Sequence, residues 1–393
     1  MSDDPLIRWT ENDQPHDARW RSERAAPPPA RVVLADDTTA ADVAYRLACE
    51  GSGLLWRGDF QNARLLLLAL ARRADRVPRR KARGPAATPS PAVTVEAPGA
   101  AFHRHRQAQS QRARVLAQIL IPLDGDYGIP LRRAPDVRLA CTQAWGAADG
   151  AASVTSLREL LGLISAFEWR KKGVPVVALG AAPDNRIHPH YGVFSPLRGE
   201  YIDLVADTPL PALQPLTAFD IGTGTGVLAA VLAKRGVARV VATEQDPRAL
   251  ACAAENLARL ALTAQVHLLD ADLFPPGRAG LVVCNPPWLP ARPGSPLESA
   301  VYDEDSRMLL GFLAGLKAHL VPGGEGWLIL SDFAEHLGLR SRADLLAAFE
   351  RSGLKVVGRI DARPRHPKAS DAGDPLHDAR AAEVTSLWRL ATT

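Results

Sequence analysis

Two patterns of apolar positions divide the chain near residue 174. Before it, apolar residues recur at i, i+3 and i+4, the spacing that places them on one face of a helix. Asp37–Gly51 has a DTT cap region followed by AADVAYRLACE, and Phe60–Arg73 (FQNARLLLLALARR) has Asp59 at the N-cap position. Gln107–Ile121 reads as helix again. Ser153–Lys172 does so with a basic C-terminal end, which suits the helix dipole. Residues 1–35 are polar and Pro-rich and read as a weakly ordered arm. Residues 77–100 are rich in Pro, Ala and Ser and read as a linker. The expectation for 36–172 is a mostly helical domain.

Beyond residue 174 the pattern alternates. VPVVAL (Val174–Leu179) reads as a strand. From Ala218 onward FDIG, ARVVATE, QVHLLDAD, AGLVVCNPP, GWLILSD, LKVVGRID and EVTSLWRL read as strands. VLAAVLAKRG, PRALACAAENLARLA, MLLGFLAGLKAHL and RADLLAAFERSG read as helices. Such alternation implies a parallel sheet wrapped by helices, so the expectation for 174–393 is an α/β domain.

Composition narrows the class. The 393 residues are 47% hydrophobic and 23% charged, ordinary for a folded chain of more than one domain. The apolar run Leu65–Ala71 falls far short of the roughly 20 residues a membrane span needs, and the N-terminus lacks an apolar leader segment. Cys49, Cys141, Cys252 and Cys284 are scattered, which fits a cytoplasmic protein without a disulfide framework. The net charge is only +4, but Arg72, Arg73, Arg76, Arg79, Arg80, Lys81 and Arg83 cluster around the one acid Asp75. HRHRQAQSQRAR follows at 103–114. These stretches suit either a solvated surface or contact with phosphates.

The sharpest motif is Asp220-Ile221-Gly222-Thr223-Gly224-Thr225-Gly226 at a strand-to-helix junction. Glycines there let the backbone turn tightly and approach a ligand near the helix N-terminus. The dinucleotide fingerprint needs Gly at 227, where Val stands, and the phosphate-binding loop needs Gly-Lys-Ser/Thr, which is absent. The remaining pattern, D-x-G-x-G-x-G, resembles class I S-adenosylmethionine-dependent methyltransferases. Glu244 ends the second strand, where an acid can accept both ribose hydroxyls. Asp272 and Leu273 follow the third strand, placing an acid for the adenine amino group. Cofactor contacts are therefore expected at Asp220, Gly222, Gly224, Gly226, Glu244, Asp272 and Leu273.

The fourth strand of this set ends in Asn285-Pro286-Pro287-Trp288. Methylating a planar NH2 group is difficult because its lone pair is delocalised. An amide oxygen from Asn285 and the carbonyl of Pro286 can each accept one N–H, and Trp288 offers a flat face for stacking. Transfer is then mainly a matter of in-line positioning. Asp220 to roughly Leu330 resembles N-methyltransferases with an N-P-P-[YFW] motif. That group includes release-factor glutamine methyltransferases and ribosomal RNA guanine-N2 and adenine-N6 methyltransferases. Upstream, FSPLRGEYIDLV (Phe194–Val205) is similar to the Pro-Arg-x-x-Glu-like run of the glutamine enzymes, with Arg198 and Glu200 offset from it.

The resemblance implies a Rossmann-like seven-stranded sheet, mostly parallel, beside the N-terminal mostly helical domain of 36–172, whose counterpart in that group grips the macromolecular substrate. Glu383–Leu390 would be its antiparallel strand, paired with Leu354–Asp361. It also implies an enzyme that uses S-adenosyl-L-methionine and methylates a macromolecule. The residues lead first to a protein glutamine amide. An exocyclic amine of RNA (guanine N2 or adenine N6) is the alternative, and a non-catalytic cofactor-binding scaffold the third. His366, Lys368, His377 and Arg380 lie in a long polar stretch that could face substrate or be a plain exposed loop. His188-Pro189-His190 and His103-Arg104-His105 lack a partner at ligand spacing, so no metal is expected. Asp303 and its acidic neighbours are read as a helix cap, and Cys284 as a buried strand residue.

Overall fold

The computed structural model describes residues 5–75, 99–294, 296–365, 371 and 373–393. All but the last two residues of the expected linker, five of the seven basic residues of the first basic stretch (Arg76, Arg79, Arg80, Lys81 and Arg83), and His366 and Lys368 lie outside the described residues. The chain divides into two compact units, Met1–Ser165 and Ala166–Thr393.

The first unit is built on a sheet, which corrects the expectation of a mostly helical domain with a weakly ordered arm. Its elements are β1 (Leu6–Glu11), β2 (Gln14–Arg21), β3 (Arg31–Ala35), α1 (Ala41–Cys49), β4 (Ser52–Trp56), α2 (Phe60–Ala74), α3 (Ala100–Leu116), β5 (Ile119–Leu123), α4 (Arg138–Trp145) and β6 (Ser153–Ser156). The strand order is β1-β2-β6-β5-β4-β3. Ile7, Ala18, Trp20, Leu55, Leu120 and Val154, from five of these strands, form one buried cluster.

The physical reasons for the mismatch are local. β1 and β2 form a hairpin around Asn12 and Asp13, whose φ values of 51° and 58° suit a two-residue turn. β4 and β5 are five-residue runs buried at every position, and so short an apolar run carries no period that separates strand from helix. β5 overlaps the end of the expected Gln107–Ile121 helix, and β6 occupies the start of the expected Ser153–Lys172 helix. That second segment splits into β6 and α5 (Leu157–Lys172), which runs across the boundary between the units. Asp59 does cap α2, accepting from the Gln61 N–H at 2.8 Å.

The second unit begins with a two-stranded ribbon, β7 (Val174–Pro175) and β8 (Arg186–Ile187). The strand expected over 174–179 is thus shorter, and Val177–Leu179 forms a 3-10 turn. There follow α6 (Glu200–Asp207), β9 (Thr217–Ile221), α7 (Val227–Lys234), β10 (Arg239–Glu244), α8 (Pro247–Arg259), β11 (Val266–Asp270) and β12 (Ala279–Cys284). The chain continues through α9 (Pro296–Ser299), α10 (Arg307–His319), β13 (Leu320–Ser331), α11 (Phe333–His336), α12 (Arg342–Arg351), β14 (Leu354–Ala362), α13 (His377–Ala382) and β15 (Thr385–Thr392).

These strands make a seven-stranded sheet in the order β11-β10-β9-β12-β13-β15-β14, parallel except that β15 runs antiparallel to β13 and β14. This is the mixed seven-stranded sheet the resemblance implied. Both faces are covered, so the central strands are predominantly apolar. In β13, Trp327 and Ile329 join one core cluster while Leu328 and Leu330 join the other; β12 divides Leu281 and Val283 from Val282 and Cys284 in the same way.

β9 turns into α7 through the glycine loop, and Asp220 holds that turn from beneath. Its Oδ2 accepts from the Thr223 hydroxyl at 2.6 Å and from the Ala229 N–H, one of the unpaired donors at the start of α7, at 3.0 Å. The carboxyl is fully buried. Burial outweighs these two donors and, with the Glu244 charge, pushes its pKa up to about 6 from the ordinary 3.8. The folded state thus keeps a proton that the unfolded chain releases at lower pH. Asp220's contribution to stability is present below about pH 4 and is lost as pH rises through about 6. Asp220→Asn keeps an accepting oxygen and flattens that stretch of the pH–stability curve. Chemical denaturation of both proteins from about pH 4 to pH 7 checks this, and parallel curves would contradict it. Leu328→Ala, at a fully buried position in β13, is expected to lower unfolding stability by about 2–5 kcal/mol in the same assay.

Candidate active site

A cavity of about 410 Å³ opens at the carboxyl ends of the parallel strands, where open α/β sheets bind ligands. Three turns build its walls. The first is the glycine loop after β9. Gly222 and Gly224 have φ of 70° and 56°, a region costly for other residues. A Cβ at Gly222 would also come within 2.4 Å of Met308 Cε. The Gly222 and Thr223 N–H groups donate to the Thr243 carbonyl at 3.0 and 2.9 Å, tying the loop to β10.

Glu244 ends β10 and belongs to the wall. Its Oε1 accepts from the N–H groups of Gln245 and Asp246 at 2.9 and 3.1 Å, and its Oε2 from the Gly224 N–H at 3.1 Å. These bonds fix the carboxylate against the glycine loop, fill Oε1 and leave one acceptor site on Oε2. Asp272 and Leu273 continue the wall beyond β11. Asp272 forms an ion pair with Arg307, so a ligand amino group there would share that carboxylate. Leu273 has φ of 70°, and its carbonyl accepts from the Thr243 hydroxyl at 2.5 Å.

Asn285, Pro286, Pro287 and Trp288 close the far side. The Trp288 indole N–H donates to Asn285 Oδ1 at 2.9 Å, so it orients the amide besides offering a ring face. The second lone pair of Oδ1 stays available for another donor. Cys284 is buried in β12, where desolvation holds its thiol well above the ordinary range, as suits a packed core residue. Asp303 caps α10 through the N–H groups of Met308 and Leu309 at 3.0 and 3.1 Å.

Eight of the ten residues singled out in the sequence therefore share one cavity. Asp220 and Gly226 do not line it. Asp220 is turned into the core, and a Cβ at Gly226 would stand 3.3 Å from Ala253 Cβ, so that glycine serves the packing of α7 on α8. Both shape the loop from outside the cavity lining. The motifs missed Tyr201, Phe333 and Glu383, which also line the wall, and Arg198 and Arg380 join them. Glu383 carried no signal beyond its place before the last strand. Among the histidines considered, His188 Nδ1 lies 2.6 Å from the Arg170 carbonyl and His190 Nε2 lies 2.7 Å from Glu255.

Residues 184–351 match the family model of the methyltransferase small domain. The release factor glutamine methyltransferase of Cereibacter sphaeroides is 33% identical over 38% of this chain and 57% of its own length. That of Moorella thermoacetica is 39% identical over 32% of this chain and 48% of its own. A tRNA adenine-N6 methyltransferase of Shewanella loihica is 30% identical over 38% of this chain and 64% of its own. The chain thus spans about half the length of the first two relatives. With its glycine loop, its strand-end acid and its mixed seven-stranded sheet, the stretch 184–351 is similar to the methyltransferase small domain, and the second unit has the fold of the class I S-adenosylmethionine-dependent methyltransferases.

Proposed function

We propose that this protein is an S-adenosylmethionine-dependent N-methyltransferase whose acceptor is a glutamine side-chain amide in a protein. The observation that carries the reading is the opening of Asn285-Pro286-Pro287-Trp288 into the same cavity as the glycine loop and Glu244. The wall fits the cofactor. Gly224 has open space where a Cβ would stand, and Glu244 is fixed with Oε2 left to accept from one ribose hydroxyl. When bound, the sulfonium compound supplies a methyl already activated toward a nucleophile.

The protein's own task is positioning. Asn285 Oδ1 and the Pro286 carbonyl accept the two N–H bonds of the acceptor and aim its nitrogen in line. Trp288 holds the Asn285 amide in that orientation. Glu244 and the glycine loop hold the other end of the cavity at a fixed distance through the Gly224 bond. Orientation of this kind is a large share of what such a transfer needs. The glutamine reading is supported by the relatives named for that activity and by the place of Arg198 in the wall. An RNA amine is the second reading, supported by the tRNA-modifying relative and by the basic residues along α3.

Methyl transfer from labelled S-adenosylmethionine into an extract of cells lacking the gene, split by protease and RNase, tests the proposal. Label lost to protease supports it, and label lost to RNase replaces it with the second reading. Asn285→Ala is expected to reduce transfer by on the order of 10²-fold while cofactor binding, measured by calorimetry, stays unchanged. Glu244→Gln is expected to do the reverse in binding, weakening the cofactor about tenfold by the same measurement.

A further inference from the structure

Glu383 is a buried carboxylate with half of its hydrogen-bonding capacity unused. Its side chain is 1% exposed, yet it belongs to the cavity wall. Oε1 accepts from the Ser331 hydroxyl at 2.8 Å and lies 3.4 Å from the guanidinium of Arg198. Oε2 has no hydrogen-bond partner among the described residues. A desolvated carboxylate oxygen without a donor is costly, and such a group persists where something bound supplies the donor.

Sheet order says at which end it acts. Glu244 ends β10, the glycine loop follows β9, Asn285 follows β12, and Ser331 ends β13. Glu383, bonded to Ser331 and leading into β15, therefore stands beyond Asn285 on the side away from Glu244. The Arg380 guanidinium lies 4.8 Å from the ring centroid of Phe333 in the same part of the wall.

We propose that Glu383 and Arg198 read the main chain of the methyl-acceptor polypeptide beside the methylated residue. Glu383 Oε2 accepts a peptide N–H, and the Arg198 guanidinium donates to a peptide carbonyl. In an extended segment the N–H and C=O of one residue point the same way, which matches an acceptor and a donor set side by side. The unpaired carboxylate oxygen also disfavours a phosphodiester at this end of the cavity. The inference rests on the proposed function and names the chemistry of its substrate.

The test uses the full chain with S-adenosylmethionine, offering a purified bacterial translation release factor and, separately, total RNA. Glu383→Gln exchanges an oxygen for a donor, and Glu383→Met removes the buried charge altogether. The expected result is a fall of about 10- to 100-fold in kcat/KM for the release factor, carried mainly by KM. The Kd for S-adenosylmethionine stays unchanged and Tm is not lowered in Glu383→Gln, which keeps the Oε1 acceptor for Ser331, whereas a purely structural role would lower Tm in step with activity. Unchanged kinetics, or equal losses of cofactor binding or Tm, overturn the proposal while leaving the glutamine reading intact. Transfer by the unaltered protein to RNA instead, or to neither substrate, overturns both.

Discussion

Asp220 ties the end of the central strand to the start of the helix that follows. One carboxylate oxygen takes the Thr223 hydroxyl and the Ala229 N–H, so strand, loop and helix share a single buried anchor. That anchor acts with the two loop N–H groups bonded to the Thr243 carbonyl. Together they fix the path of Gly222–Gly226, and with it the distance between the glycine loop and Glu244. A buried carboxylate is an expensive way to hold a loop, since its ionised form is disfavoured there. What it gains is a loop whose backbone, free of side chains at 222 and 224, is left to face a ligand.

The site is then assembled by the sheet rather than by any one segment. Five parallel strands place their carboxyl ends in a row, and each turn adds a different function along it. Glu244 lies toward one side, Asn285 near the middle and Glu383 toward the other. The Trp288–Asn285 bond shows the same economy at smaller scale, since the aromatic residue that lines the cavity also orients the amide. Such rigid placement suits a transfer in which geometry, rather than acid–base chemistry, lowers the barrier.

The α/β half was legible because its signals are local and repeated. Largely apolar strands, helices between most of them and acids at strand ends mark such a sheet in one dimension. The glycine motif and the Asn-Pro-Pro-Trp turn carried most of the site for the same reason. The N-terminal unit was read as helical because its strands are five residues or shorter, apart from β1 and β2. Of these, β4 and β5 are buried at every position, so no period marked them. The β1–β2 hairpin did leave a signal, since Asn12-Asp13 separates two alternating runs, but Pro and charge in that stretch masked it.

Local chemistry along the chain thus settled the alternation of strands and helices from β9 onward and eight residues of the cavity wall, and the resemblance those motifs carry implied the seven-stranded sheet. It could not separate residues that face a ligand from residues that shape the loop around it. Asp220 and Gly226 look like their neighbours in the motif, yet one is turned into the core and the other against α8. Nor could it find Glu383, which lies 98 positions beyond Asn285 (383 − 285) with no motif around it. Only the crossing of the chain from β13 through β14 to β15 brings that carboxylate to Ser331 and Arg198. Burial and an unpaired oxygen are properties of that meeting, and no stretch of sequence contains them.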